Sequence, residues 1–459
     1  MRVSVIGAGY VGLASALAAA HTGHVVSVLE KDDQRVRLLR SGVDPLGERN
    51  FTEVLSSAGI LFTGDPAVAL ADADVILVAV GTPHLPGGSA DLSAVFEAAE
   101  VIAAHAPEAT VLIRSTVPVG TADRLQAGLP SAKVVSNPEF LREGSAFGDA
   151  LGPERIVAGG SADARGIIDE LYGPIIDQRF RPFGDVVPKS GPVPVCWMDR
   201  RSAELTKYAA NAFLATKLSY VNEIANIAGV VGADIRAITH ALGLDPRIAP
   251  AYLRPGIGWG GACFPKDIRA LQAFANDEGY DFTLLRAVIE QNNQQLHRFF
   301  ALLEREFADR SDVRVALFGL AFKSNTSDTR ESPAIALAGL MLARGWIVTA
   351  YDPAVRRAVH DLPKDLRLAR TSQAAAVGAD AIVIATEWPE FASLDLPYLR
   401  AVMRGNALFD GRCIVDPAAA TAAGLRYLGI CAPARETVSD ALQSAEADAS
   451  ASYPEPVRL

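Results

Sequence analysis

The sequence predicts an α/β protein in which two Rossmann-like doubly wound domains are joined by a central helical domain. Three observations carry this reading. Short β-type runs alternate with Ala-rich helical stretches at the start of the chain, the rhythm of parallel βαβ units. The same rhythm returns from Arg314 onward. Between them, residues 201–241 and 268–307 place small and apolar residues at helical spacing. A chain of 459 residues is too long for one compact core. We expect an N-terminal domain over 1–198, a helical domain over 199–308, a second Rossmann-like domain over 309–435 and a disordered tail over 436–459, which is rich in Ala, Ser and Glu.

In chain order, residues 2–6 form a first strand that feeds Gly7-Ala8-Gly9-Tyr10-Val11-Gly12 and then an Ala-rich helix to about Ala20. Residues 24–29 form a second strand ending at Glu30. In this strand, glycine turn, helix, strand and acid arrangement, Gly7 makes the tight turn, Gly9 admits a pyrophosphate and Gly12 lets helix and strand pack closely. Glu30 falls where an acid holds the ribose hydroxyls of NAD and repels the extra phosphate of NADP. Further strands over 74–80, 110–114 and 133–136 end in Thr82, Thr116 and the Glu139/Glu143 pair. Ligands of an open parallel sheet bind beyond such ends, although Thr and Glu also commonly cap the helices that follow. Residues 178–198, rich in Pro and Gly, read as a boundary. In the helical domain Lys207 and Asn211 stand four apart, on one helix face, although composition alone favours an ordinary exposed helix lysine at 207. Long helices in this position suit a dimer core. The second Rossmann-like domain lacks a GxGxxG, but Lys323 and Arg330 flank its first helix start, a place for phosphate charge or for solvated loop cations.

Composition narrows the class. Forty-three basic against 53 acidic residues, a net charge of -10, argue against a broad nucleic-acid surface but leave room for a local phosphate site. The chain starts directly as a strand and holds no apolar run long enough to span a bilayer, so a cytoplasmic protein with no membrane partner is expected. Four cysteines lie far apart without zinc spacing, which points to a reduced compartment and no metal. One of them stands out. In Pro255-Gly256-Ile257-Gly258-Trp259-Gly260-Gly261-Ala262-Cys263-Phe264-Pro265-Lys266-Asp267, four glycines precede Cys263, and a proline, a lysine and a carboxylate follow it. Glycines permit close approach of another molecule, and Pro265 suits a helix start. Cys263 would then lie just before a helix N-terminus, where the dipole and Lys266 favour thiolate. A buried cysteine after a Gly-rich loop is the structural alternative.

With these residues in view, the chain resembles the UDP-glucose/GDP-mannose dehydrogenase family over roughly residues 1–430. The resemblance rests on GAGYVGL from Gly7, GTP from Gly81, STVPVGT from Ser115, NPEFLREG from Asn137, AELTKYAANAFLATKLSYVNE from Ala203, GIGWGGACFPKD from Gly256 and FGLAFKSNTSDTRESPA from Phe318. It implies oxidation of the C6 alcohol of a nucleotide sugar to a carboxylate, with NAD used twice. Gly144-Ser145-Ala146 and Gly258-Trp259-Gly260-Gly261 are similar to the UDP-glucose branch rather than the GDP-mannose or UDP-N-acetylmannosamine branches. Cys263 resembles the nucleophile that carries a thiohemiacetal and then a thioester. Lys207 and Asn211 resemble the pair that stabilises the oxyanion, Asp267 and Thr116 the groups that hold water, and Glu139 the general acid/base. Cofactor contacts are implied at Gly7, Gly9, Tyr10, Val11, Gly12, Glu30, Arg35, Thr82, Thr116, Glu143, Lys266 and Arg330. Substrate contacts are implied at Glu139, Phe140, Leu141, Arg142, Lys207 and Asn211, along the loop Tyr252, Leu253, Arg254, Pro255, Gly256 and Gly260, and at Phe264 and Lys323. Arg247 resembles an arginine that reaches a neighbouring subunit's sugar, which implies at least a homodimer. Glu30 stands where the family often has Asp. A non-catalytic nucleotide-sugar-binding protein on this fold is the alternative from another class; Cys263, Lys207 and Asp267, all present, speak against it.

Overall fold

The computed structural model describes residues 1–308, 310–355 and 362–432; the expected tail lies outside them. The described chain divides into two units. The first holds Met1–Ala212 and Cys263–Thr283, the second Phe213–Ala262 and the residues from Leu284.

The sheet of the first unit contains β1 (Arg2–Ile6), β2 (Val25–Leu29), β3 (Leu61–Thr63), β4 (Val75–Val78), β5 (Thr110–Ile113), β6 (Lys133–Ser136), β7 (Ile156–Gly159) and β8 (Val195–Met198), in the order β3-β2-β1-β4-β5-β6-β7-β8. All neighbours run parallel except β6 and β7. The order turns back between β1 and β4, the crevice where a doubly wound sheet takes its ligand. Alternation fills both faces. Val75 and Leu77 join the core with Leu13 and Leu17 of the first helix, whereas Ile76 and Val78 face Val95, Ile102 and Leu125. The Pro/Gly-rich stretch that reads as a boundary ends in β8, which pairs with β7 and completes this sheet.

The second unit repeats the plan with β9 (Arg314–Phe318), β10 (Ile347–Tyr351), β11 (Arg367–Leu368), β12 (Ala381–Ile384), β13 (Ala407–Asp410) and β14 (Arg426–Gly429), all parallel in the order β11-β10-β9-β12-β13-β14. Its acid at the end of the second strand, Asp352, accepts the Leu320 and Ala321 N–H groups and the Trp388 indole N–H.

Each of the two expected helical blocks is broken by a glycine in the left-handed region. Arg200–Val231 stops before Gly232 (φ 70°), and Ile235–Gly243 starts anew on the Asp234 side chain. Phe264–Asp277 stops before Gly279 (φ 75°), and Thr283–Glu306 follows. Cys413 and Cys431, which stand far apart in the sequence, form a disulfide in the second unit. Their separation of 18 residues hides a Cα–Cα distance of 5.6 Å, because the strands β13 and β14 run side by side. No helix among the described residues is long and apolar enough to cross a membrane, and no group of three or more His, Cys, Asp or Glu among them could hold a metal ion.

Candidate active site

The glycine turn after β1 divides its work as the spacing predicts. Gly7 adopts φ 98°, and a Cβ there would meet the Ala79 carbonyl oxygen at 2.7 Å. A Cβ on Gly12 would lie 1.8 Å from the Gly7 carbonyl oxygen, so helix and turn close only on glycine. Gly9, by contrast, faces open space. The helix Tyr10–His21 has no side-chain cap and no acid in its first turn, so its leading N–H groups remain available to an anion. Glu30 is buried and accepts from the Ala8 and Asp32 N–H groups at 2.9 Å each, with Arg35 Nη1 3.4 Å away. Glu30 thus stands at the lip of the turn. Tyr10 contributes a buried phenol whose pKa is pushed up by burial and then by Glu48 and Glu143. The open Gly9, the uncapped helix and the Glu30 carboxylate fit a dinucleotide. Exchanging Glu30 for Gln should therefore cut the preference for NAD over NADP by about an order of magnitude, since Arg35 is then free to meet a 2′-phosphate. Equal kcat/KM ratios for wild type and variant would contradict this role.

The second half of the same unit gathers the other polar residues. Cys263 is the N-cap of Phe264–Asp277, with Pro265 in its first turn and the Asp267 N–H bonded to the Cys263 carbonyl at 2.9 Å. Asp267 is buried; Asn211 donates to one of its oxygens at 2.7 Å and Lys266 to the other at 2.6 Å. Lys266 also reaches the Thr82 hydroxyl at 3.3 Å, and that hydroxyl donates to the Thr116 carbonyl at 2.9 Å. Lys207 pairs with Glu139 at 3.0 Å, both side chains buried. Lys207 lies 5.3 Å from the Phe140 ring centroid, and Arg155 stacks on that ring at 3.9 Å. The Glu139 carboxylate also accepts the Leu141 N–H. Arg142 holds Asp149 with two guanidinium nitrogens.

Electrostatics correct one expectation. Cys263 as a residue is exposed, although protein crowds its thiol. Burial amid the surrounding protein, followed by Glu139 and Asp267, nevertheless pushes the thiol up to about 12, and Lys207 only partly opposes them. Lys266, expected to favour thiolate, is instead spent on Asp267. Burial works against the Lys207 charge, but Glu139 and Asp267 together outweigh it and hold its pKa above the ordinary lysine value. The resting pair is therefore a thiol beside an ammonium.

The other predicted residues belong to the second unit. Tyr252 adopts φ 63° and Ala249 φ 61°, a strained approach to the glycine loop that Lys217 ties down through the Ile248 carbonyl. Leu253, Pro255, Gly256 and Gly260 are buried, whereas Arg254 is exposed. Arg247 is exposed and pairs with Asp245; Arg330 pairs with Asp328; Lys323 lies 5.6 Å from the Phe322 ring centroid. The loop glycines serve close approach of the chain itself. A Cβ would meet Arg412 Nη1 at 2.7 Å from Gly256, the Glu331 carbonyl at 2.0 Å from Gly260 and the Phe322 ring at 2.7 Å from Gly261.

Several residues escape sequence reasoning. Arg412 follows the carboxyl end of β13, a position that could have flagged it, and bonds the Ala385 carbonyl. Glu48 accepts the Gly144 N–H at 2.6 Å and so holds the loop after Glu143. Glu204, one turn before Lys207, accepts the Gly120 and Ala122 N–H groups at 2.6 and 2.7 Å. It thereby caps the helix Thr121–Gly128 and anchors the loop carrying Thr116. Burial, reinforced by Asp123, raises its pKa from the ordinary 4.5 to about 7 against those two hydrogen bonds. The folded protein thus binds this proton more tightly than the unfolded chain. Below pH 4.5 both states are protonated and nothing is lost; from pH 4.5 to 7 rising pH removes stability, on the order of 3 kcal/mol, and above 7 the loss is complete. Glu204→Gln should abolish that part of the slope in urea unfolding between pH 4.5 and 8; an unchanged slope would place the titration elsewhere.

The NAD binding domain of the UDP-glucose/GDP-mannose dehydrogenase family matches residues 1–176, its central domain 201–294 and its UDP binding domain 316–417. A UDP-glucose 6-dehydrogenase of Pseudomonas aeruginosa is 41% identical, over 94% of this chain and 98% of that protein. Among solved structures, a UDP-glucose dehydrogenase of Pyrobaculum islandicum superposes with a TM-score of 0.83 at 34% identity, covering 94% and 97% of the two chains. A UDP-D-ManNAc dehydrogenase of Pyrococcus horikoshii gives 0.79 at 29%, covering 95% and 100%. The chain belongs to the UDP-glucose/GDP-mannose dehydrogenase family.

Proposed function

We propose that the chain oxidises the C6 alcohol of UDP-glucose to the carboxylate of UDP-glucuronate, consuming two NAD per sugar through a covalent adduct on Cys263. The observation that carries this is the gathering of Lys207, paired with Glu139, and Asn211, bonded to Asp267, beside Cys263 at the helix start. The 41% identity to a UDP-glucose 6-dehydrogenase favours UDP-glucose over other nucleotide sugars. When bound at the Gly7–Gly12 turn, NAD accepts hydride, once from the alcohol carbon and once from the adduct carbon.

Lys207 and Asn211 stabilise negative charge on the C6 oxygen as the alcohol gives up its proton to water. The resting thiol gives up its proton in the next step. Sulfur bonds to the aldehyde carbon, the thiol proton passes to the carbonyl oxygen, and a thiohemiacetal forms. Loss of hydride from that carbon, with the hydroxyl proton passing to water, leaves a thioester. Asp267 and Thr116 hold a water, Glu139 takes its proton during attack, the carbon–sulfur bond breaks and the thiol returns. Within the first unit, Phe140, Leu141 and Arg142 on the NPEF loop and Phe264 serve the sugar nucleotide, and Thr82, Glu143 and Lys266 serve the cofactor. Counting NADH against UDP-glucose consumed tests the reading: two per sugar are expected, and one would overturn it.

The proposal includes a homodimer or higher homo-oligomer in a cytoplasmic setting, where NAD and sugar nucleotides are at hand. Phe213, Tyr220 and Ile227 recur every seven residues on Arg200–Val231 and are 65, 54 and 55% exposed, an apolar stripe that suits a second copy. Arg247 extends into solvent, as a residue bound for a neighbour would. Sedimentation of the purified chain should show no monomer at micromolar concentration; a monomer with full activity would remove this part.

A further inference from the structure

The segment from Gly256 to Gly261 is irregular, holds four glycines in six residues, and has every residue but Trp259 buried. Such a segment is entropically expensive to order, and its buried peptide groups need partners that no helix or sheet supplies. Amide side chains supply them. Asn222 Oδ1 accepts the Gly256 N–H at 2.8 Å, and Gln295 Nε2 donates to the Gly256 carbonyl at 3.1 Å. Asn292 does both at one residue, accepting the Trp259 N–H at 2.8 Å and donating to the Trp259 carbonyl at 3.1 Å. The orientation of Gln295 is set by Asn226, which donates to its Oε1 at 2.9 Å. The Trp259 indole N–H is taken by Ser219 at 3.0 Å. Asn222 and Gln295 are 2 and 1% exposed, so they hold the loop from behind and are out of reach of a ligand.

The Asn side-chain amide offers a donor and an acceptor on one planar group, like a peptide, so Asn292 imitates a neighbouring strand at Trp259. This arrangement would not be needed to fill space; a leucine does that. It defines where the backbone of residues 256–259 lies. We propose that Asn222, Asn292 and Gln295 are positioning residues for the sugar-nucleotide site, holding the Gly256–Trp259 backbone in its ligand-ready form before substrate arrives. The inference rests on the reading that this loop lines the sugar. A preformed loop spares the ordering loss on binding, so the effect falls on substrate affinity.

The test compares Asn292→Leu, Gln295→Leu and Gly260→Ala in the full-length protein, measuring KM for UDP-glucose, kcat and the Kd of NAD. Both leucine variants are expected to raise KM for UDP-glucose tenfold or more, equivalent to 1.4 kcal/mol, with NAD affinity within twofold of wild type and kcat reduced less than KM is raised. NAD affinity is the control because Gly7–Gly12 belongs to the other unit. If Gly260→Ala raises KM and neither leucine variant does, the positioning role is wrong and the loop reading stands. If none of the three moves KM, the loop does not line the sugar and both fall. If the leucine variants lose NAD binding along with UDP-glucose, the amides support the fold at large and the proposal is overturned.

Discussion

Replacing Cys263 with serine is expected to lower the rate of UDP-glucuronate formation by roughly 10⁴-fold or more, because removing a nucleophile forfeits the covalent route entirely. At most one NADH per sugar should appear, since the hydroxyl that remains forms no thioester from which a second hydride can leave. An undiminished steady-state rate would remove Cys263 as nucleophile. A companion measurement addresses the thiol itself. Burial, Glu139 and Asp267 hold it up to about 12, so little thiolate exists at neutral pH. Alkylation of Cys263 by iodoacetamide should climb close to tenfold per pH unit from 7 to 10, as the reactive species is the anion. Glu139→Gln removes one of the charges that raise the thiol, so alkylation at a given pH should become faster. A rate that levels off below pH 8 would mean that the thiolate is already favoured in the free protein.

Lys207→Met should reduce kcat by about 10²–10³-fold, the usual effect of deleting a group that stabilises a developing oxyanion. It should also lower stability by about 3–5 kcal/mol, since Glu139 is left charged and buried without its partner. These two losses separate in a double variant. Lys207→Met combined with Glu139→Gln leaves no buried charge at the pair, so most of the stability should return in urea unfolding. Turnover should not return, because neither the cation nor the acid/base is restored. Activity that recovers together with stability would make the ion pair a structural feature only.

Much of this site was legible because its chemistry is local. The work of Gly12 follows from backbone sterics over six residues, since its Cβ would meet the Gly7 carbonyl, whereas Gly7 owes only its positive φ to the turn and meets Ala79 from a distant strand. The cap position of Cys263 and the first-turn Pro265 are likewise short-range properties of a helix start. Lys207 and Asn211 were recognisable as a pair because helical periodicity sets them on one face. Strand ends marked Thr82, Thr116 and Glu139 for the same reason. Short strands with weak patterns, β3, β11 and the edge strand β8, carried no such signal, since pairing with a neighbour rather than propensity decides them.

What the sequence determined by itself, then, is the pair of wound sheets and the glycine turn, encoded in periodicities of a few residues, whereas the roles of the side chains rest on the family resemblance. Tertiary structure alone decided how those side chains act on one another. Whether Cys263 rests as thiol or thiolate depends on Glu139, 124 positions away, and on the depth of protein around it. Lys266 meets Asp267 and Thr82, Cys413 meets Cys431, and Asn292 meets Trp259 through folding that no local pattern foretells. Electric fields and hydrogen bonds depend on distance in space, and distance in space is what a linear spacing leaves unstated.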